Sequence, residues 1–240
     1  MEELDQFPEF KKNFLWFLKN RPLLTQGCVI PVRLEKEGHY VLTLVTEGPL
    51  RSILKYVGNP DEFFSPFGIR SLSKIHRGNP FFYKNMQVSY EPGESITRIK
   101  GGNSNWRGPV WFPINFLLIE SLLAFSKAFP QKITIAIGGE GETTLAGMAQ
   151  TLAQHLIALF KKNAEGKRPF FGTFPLAQDP HFENYLVFNE YFHGETGMGL
   201  GASHQTGWTA LVANLINLVH HQTQQREEGA VSSLYSLEKK

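Results

Sequence analysis

At 240 residues the chain is long enough to bury a sizeable core as one domain, and its net charge of +2, from 24 Lys and Arg against 22 Asp and Glu, gives no field that argues for nucleic acid or an anionic membrane as partner. Charged residues make up 19% and aromatics 13%, against roughly 25% charge in an average globular protein, so an unusually apolar or aromatic surface is expected. Cys28 is the only cysteine, which excludes an intrachain disulfide, and with an acidic start that lacks a basic-then-apolar signal pattern it leads to a cytoplasmic expectation.

In chain order, Glu9 to Asn20 set Phe10, Phe14, Phe17 and Leu18 at helical spacing before Arg21-Pro22 stops the run. Two β-branched pieces, CVIPV and YVLTLV, flank the polar turn EKEGH and predict a hairpin or extended connection between Gly27 and Val45. Pro49 opens a helix carrying Leu50, Ile53, Leu54 and Val57, closed by Gly58-Asn59-Pro60. The segment DEFFSPFGIRSLSKIH reads as an ordered loop, and Phe81 to Tyr90 as a short strand ahead of EPGESITRIKGGNSN.

Pro109 marks an expected first helical turn, followed by Val110, Ile114, Leu117, Leu118, Ser121, Leu122 and Phe125, with Pro113 where a missing N–H matters least. The greasy stretch from Ile114 to Phe129 is interrupted by Glu120, Ser121, Ser126 and Lys127 and is too short for about 30 Å of hydrocarbon, so no membrane partner is expected. After a short ITIAI piece, GGEGET reads as a turn plus cap, since it lacks the lysine of a phosphate loop. Thr143 and Thr144 offer N-cap oxygens to a helix with Leu145, Met148, Leu152, His155, Leu156 and Leu159, and Lys161 and Lys162 suit its C-terminal end. A last helix runs from about Thr209 to His220. Residues 222–240 form a polar tail expected to be disordered. The expected class is therefore mainly α, about five helices joined by long loops with minor β.

Two aromatic-glycine segments carry the functional signal: GGNSNWRGPVWFPIN from Gly101 to Asn115, and FNEYFHGETGMGLGASHQTGW from Phe188 to Trp208. Trp106, Trp111 and Trp208, three of the four tryptophans, lie in them. An indole face stacks on the apolar side of a pyranose, while Asn103, Asn105 and Arg107 supply hydrogen-bonding groups. Equally, Trp106 and Trp111 suit a core, and Arg107 a pair with a structural carboxylate. In the second segment Glu190 and Glu195 lie among Tyr185, Phe188, Tyr191 and Phe192, where a carboxylate can activate water as general base or simply be solvated. His193 and His204 match no compact metal-ligand spacing, and neither metal nor cofactor is expected.

The blocks FSPFGIRSLSKIH (Phe64 to His76), YEPGES (Tyr90 to Ser95), GGNSNWRGPVW, NEYFHGETG and GLGASHQTGWTALVA resemble, in order, the C-terminal part of glycoside hydrolase family 63, in particular bacterial glucosidase and mannosylglycerate hydrolase-like proteins. The resemblance runs from about Pro49 to about Val219. It implies a six-hairpin (α/α)6 toroid, of which residues 1–221 are a part, and hydrolysis of an oligosaccharide or small glycoside with inversion. Glu190 then corresponds to the general base. Trp106 and Arg107 carry over as sugar-site residues, and Asn105, Trp111, Tyr191, His204, Gln205 and Trp208 are expected to bind substrate beside them. The family's general acid, an aspartate in a block of the sort E-S-G-x-D-N-S-P, has no counterpart here, because Asp5, Asp61 and Asp179 have other surroundings. The chain accordingly reads as a C-terminal fragment whose partner is an N-terminal portion supplied separately. The alternatives are a non-catalytic carbohydrate-binding or assembly module, or the remnant of a split gene.

Overall fold

A computed structural model describes residues 2–34, 37–97, 104–129, 133–139, 141–204 and 206–221. The tail 222–240, together with Gly101, Gly102, Asn103 and Gln205, lies outside the described residues. The elements run α1 (Glu2–Asp5), α2 (Pro8–Asn20), α3 (Pro22–Thr25), β1 (Val29–Leu34), β2 (Glu37–Leu42), α4 (Glu47–Val57), β3 (Phe64–Ser65), β4 (Gly68–Ile69), β5 (Phe81–Tyr83) and β6 (Met86–Val88). They continue with α5 (Phe112–Ala128), β7 (Thr134–Ala136), β8 (Glu142–Thr144), α6 (Leu145–Ala158), β9 (Tyr191–Phe192), β10 (Gly199–Leu200) and α7 (Thr206–Thr209), then a helix α8 over residues 212–221. Among the described residues the molecule is mainly helical with five two-stranded antiparallel sheets.

The core forms where α5 packs on α6. Phe112, Ile119 and Leu122 of α5 meet Met148, Leu152 and Leu156 of α6 in one cluster, which Leu54 of α4 and Leu215 of α8 complete. Fully burying each such side chain stabilises by about 1.5–3 kcal/mol. Thr144 caps α6 as expected, its hydroxyl accepting the Gly147 N–H at 3.1 Å. His155, on the same helix, sets Nδ1 2.9 Å from the Ser65 carbonyl. The hairpin β1–β2 also forms, pairing Val29 with Leu42.

Helix α5 departs from expectation at its start. Val110 is extended: its N–H reaches the Phe192 carbonyl at 2.8 Å and its carbonyl accepts the Phe192 N–H at 2.9 Å. A residue so paired cannot enter a first helical turn, so the helix begins at Phe112 rather than Pro109. The buried stripe shifts accordingly to Phe112, Asn115, Ile119 and Leu122, which leaves Ile114 and Leu117 exposed. The loop expected across Asp61 to His76 contains the β3–β4 hairpin and a 3₁₀ turn at Lys74–Arg77. Helix α2 forms as its spacing predicts but buries no residue, and Phe10 and Phe14 stack on each other with ring centroids 6.3 Å apart.

Candidate functional site

The Val110–Phe192 pairing brings the two aromatic-glycine segments together. Directly beside it, Trp111 stacks on Trp106 at 4.1 Å and 8° and on Tyr191 at 4.6 Å and 23°. The Trp208 ring meets Trp111 edge-on at 6.2 Å. Offset stacked and edge-to-face pairs of this kind each contribute about 0.5–1.5 kcal/mol beyond burial. Trp111 and Tyr191 are 5% and 2% exposed, so they back the cluster instead of facing solvent, whereas Trp106 is 38% exposed. Trp208 is half-buried.

Glu190 adjoins this cluster. Trp208 Nε1–H donates to its backbone carbonyl at 3.1 Å, and one carboxylate oxygen accepts the Ala202 N–H at 3.2 Å. Its own N–H donates to the Ala202 carbonyl at 2.7 Å, so both chains of this glycine-rich turn are tied at the base of the side chain. Gly201, with φ of +65°, lies so close that a Cβ there would sit 2.6 Å from Oε2. Only a residue without a side chain lets the backbone pass this near the carboxylate.

Arg107 has the structural partner that its sequence left open. It is 3% exposed, with an ion pair to Glu91 at 3.0 Å, a hydrogen bond to the Thr97 carbonyl at 2.7 Å, another to the Thr97 hydroxyl at 2.6 Å, and a contact to the Ser95 hydroxyl. Its guanidinium is turned into the protein and pins the YEPGES loop rather than lining a surface. Burial works to raise the Glu91 carboxyl, but the Ser95 and Thr97 hydroxyls, the Arg107 charge and the Ile96 N–H outweigh it and hold it below the ordinary range. Asn105 is likewise engaged: its side-chain oxygen accepts the Ser95 N–H at 2.8 Å and its carbonyl the Trp111 Nε1–H at 3.2 Å. His204 is exposed, and its backbone bridges to Phe188.

Glu195, the other carboxylate of the second segment, is built into an ion cluster. Tyr90 donates its hydroxyl to it at 2.6 Å, and Arg70, Arg77 and Lys74 approach within 3.6, 3.6 and 3.9 Å. Against desolvation, which acts to raise it, these contacts keep its carboxyl below the ordinary range. Burial lowers His193, whose Nδ1 accepts the N–H groups of Glu195 at 3.1 Å and Thr196 at 3.3 Å. Among the described residues no group of three His, Cys, Asp or Glu stands close enough to hold a metal ion, and no helix is long and apolar enough to cross a membrane.

One residue that sequence reasoning did not single out belongs beside this cluster. The exposed Glu94 accepts the Tyr191 hydroxyl at 3.4 Å, which puts a second carboxylate next to the aromatic stack. Burial, followed by the charges of Glu94 and Glu190, raises the Tyr191 hydroxyl, so it stays protonated and able to donate. The signal available was its place inside YEPGES, one of the blocks that carry the resemblance.

The family model described as glycosyl hydrolase family 63 C-terminal domain matches residues 41–158. An uncharacterized protein of Saccharomyces cerevisiae is 42% identical over 89% of this chain and 21% of its own length. A probable mannosyl-oligosaccharide glucosidase of Schizosaccharomyces pombe is 27% identical over 71% of this chain, and a mannosyl-oligosaccharide glucosidase of Saccharomyces cerevisiae 28% identical over 70%, each matched along 15% of its own length. The chain thus spans about a fifth or less of the curated relatives it matches. The family match, with the distant similarity to two fungal glucosidases, supports a place for the chain in glycosyl hydrolase family 63.

Proposed function

We propose that the chain is the base-bearing part of an inverting glycoside hydrolase acting on an α-glucoside. In this reading Glu190 deprotonates the attacking water, the exposed Trp106 and the half-buried Trp208 hold a sugar ring, and Glu94 orients a hydroxyl. The observation that carries it is the tie between Glu190 and the indoles: a carboxylate whose backbone is fixed by Trp208 at 3.1 Å, next to a stacked Trp111–Tyr191–Trp106 array. A carboxylate beside apolar ring faces suits a base opposite an oxocarbenium-like centre. The sugar preference rests on the similarity to the two fungal mannosyl-oligosaccharide glucosidases.

An inverting mechanism needs a second carboxyl as acid. The chain's three aspartates offer no match to the family's acid block, and Asp5 is engaged by Lys11. We assign the acid, and the remaining helices of an (α/α)6 toroid to which α5, α6 and α8 would belong, to sequence that corresponds to the part of the relatives this chain does not span. The chain alone is then expected to be slower by about 10² to 10⁴ than the completed site. The test measures glucose release from α-linked glucosides by the full chain, alone and mixed with a polypeptide covering the rest of the yeast relative. Activity that appears only in the mixture and disappears with Glu190→Gln supports the reading. Efficient hydrolysis by the chain alone, or a mixture indifferent to Glu190→Gln, overturns it.

The alternative, a non-catalytic carbohydrate-binding module, draws on the same exposed Trp106. It predicts saccharide binding that Trp106→Ala removes and no hydrolysis in any mixture.

A further inference from the structure

Helix α5 is apolar on every side over its first half. From Phe112 to Ile119 the only polar residue is Asn115, and that side chain is buried, bonded to Ile69 and to the Trp111 carbonyl. Phe112 and Ile119 are buried with it, whereas Ile114 and Leu117, one turn apart on the outer side, are 51% and 60% exposed. A helix that meets water along one side carries polar residues there, and one that is apolar all round belongs inside a protein, packed on both sides.

Helix α4 repeats the pattern. Ile53 and Tyr56, also one turn apart, are 49% and 57% exposed. The two outer faces meet in a groove of about 560 Å³, lined by Ile53, Tyr56 and Val57 of α4, Ile114 of α5, and Phe63 and Ile69; Leu117 continues the stripe along α5. A contiguous apolar surface of this kind marks an interaction site. The polar side chains on the lining are not aimed at a small ligand. Arg70 donates to the carbonyls of Pro60, Glu62 and Phe64, the Ser71 hydroxyl accepts the Gly108 N–H, and Asn115 serves Ile69.

A groove walled by two helices fits a third, whose ridges of side chains three and four residues apart pack into it at about 8–10 Å between axes. The relatives supply polypeptide for that place, since the matched region is 21% of one and 15% of each of the other two. We propose that the α4–α5 groove seats an apolar-faced helix of the polypeptide corresponding to the part of the relatives this chain does not span, which makes α5 an interior helix of the assembled protein. The proposal rests on the assignment of further helices to that polypeptide, and not on the role of Glu190. Trp106 and Trp111 lie on the same lining, so the seated helix borders the candidate site.

The experiment co-expresses the full chain, carrying an affinity tag, with a polypeptide covering the rest of the yeast relative, so that the second can fold against the first. Co-purification is expected. Ile114→Glu combined with Leu117→Glu should weaken the association about a hundredfold, the worth of two apolar side chains. Both positions are exposed, so the melting temperature of the chain alone should not fall. Phe82→Glu, at a position 66% exposed and off the groove, should leave the complex intact. The full chain alone gives a second reading: fluorescence of bound anilinonaphthalene sulfonate should drop in the double variant. No co-purification of the unmodified chain, a complex indifferent to the double variant, or dye binding unchanged by it would each overturn the proposal. A complex that depends on Ile114 and Leu117 but releases no glucose supports the proposal and removes the catalytic reading instead.

Discussion

Trp208 donates its indole N–H to the carbonyl of Glu190, 18 residues earlier, at 3.1 Å. This bond crosses from the helical turn α7 to the residue before β9 and fixes the backbone from which the carboxylate projects. Trp208→Phe keeps an aromatic edge against Trp111 and removes the donor. We expect a loss of about 0.5–1.5 kcal/mol, read as a lower urea midpoint with an unchanged denaturant slope. A loss above 3 kcal/mol would mean that the ring's packing, and not the bond, holds the turn.

The Arg107–Glu91 pair is a structural brace, and it predicts a particular asymmetry. Arg107→Met leaves the Glu91 carboxylate partly buried beside the Ser95 and Thr97 hydroxyls without its cation. Breaking one side of a buried pair costs about 3–5 kcal/mol. Combining Arg107→Met with Glu91→Gln removes the orphaned charge and should recover a large share of that loss. A double-mutant cycle by thermal unfolding checks it. Additive losses would show that the two side chains do not act together.

The acid side of the stability profile should fall in two stages. His193 is held below its ordinary 6.5 by burial, so the unfolded chain binds a proton more readily than the folded one. Its contribution is intact above pH 6.5 and drains away as pH falls through the lower folded value. Glu91 and Glu195 are likewise held below their ordinary 4.5 despite the opposing effect of burial. Their contribution is present above pH 4.5 and is lost below it as each carboxylate takes up its proton. His193→Asn, whose side-chain oxygen can still accept the Glu195 N–H, should flatten the first stage and leave the second. Melting temperatures across pH 3 to 8 supply the measurement; a His193→Asn profile that keeps the first stage would assign it elsewhere.

What the sequence disclosed and what it hid divide by the range of the interactions involved. Thr144 was legible as a cap because its partner is Gly147, three residues on. The β1–β2 hairpin was legible because turn and strands are contiguous. The start of α5 was not, since Val110 takes its partner from Phe192, far along the chain, and that pairing overrides the helical phase of the local pattern. The same reason separates the tryptophans. Trp106 and Trp111 have nearly the same local context, and Tyr191 and Trp208, arriving from the second segment, cover Trp111 while Trp106 keeps an open face. Arg107 could be read either way until the YEPGES loop brought Glu91 to it. Glu94 was hidden for a related reason, because a carboxylate in a polar loop gives no local sign that a buried tyrosine points at it.

Asn115 carries a prediction on the fold itself. It lies on the buried stripe of α5, where its side-chain oxygen accepts the Ile69 N–H at 2.6 Å while its amide donates to the Ile69 carbonyl at 3.1 Å and the Trp111 carbonyl at 2.9 Å. One side chain thus serves both backbone groups of a β4 residue and also the N-terminal turn of α5, locking the FSPFGIR hairpin to the helix that follows the Trp106–Trp111 stack. Replacement by leucine preserves approximate volume and apolarity but orphans the Ile69 N–H and C=O in the interior. Each unsatisfied buried group costs about 1–3 kcal/mol, so Asn115→Leu should destabilise by more than 2 kcal/mol, although the new side chain is more hydrophobic. Asn115→Asp keeps an acceptor for Ile69 N–H but puts an anion against two carbonyls, and it should be destabilising near neutral pH with partial recovery as the carboxyl is protonated. Chemical denaturation of both variants at pH 7 and pH 4.5 tests the assignment. Neutral behaviour of Asn115→Leu would show that Ile69 finds other partners and that the hairpin is not held from α5.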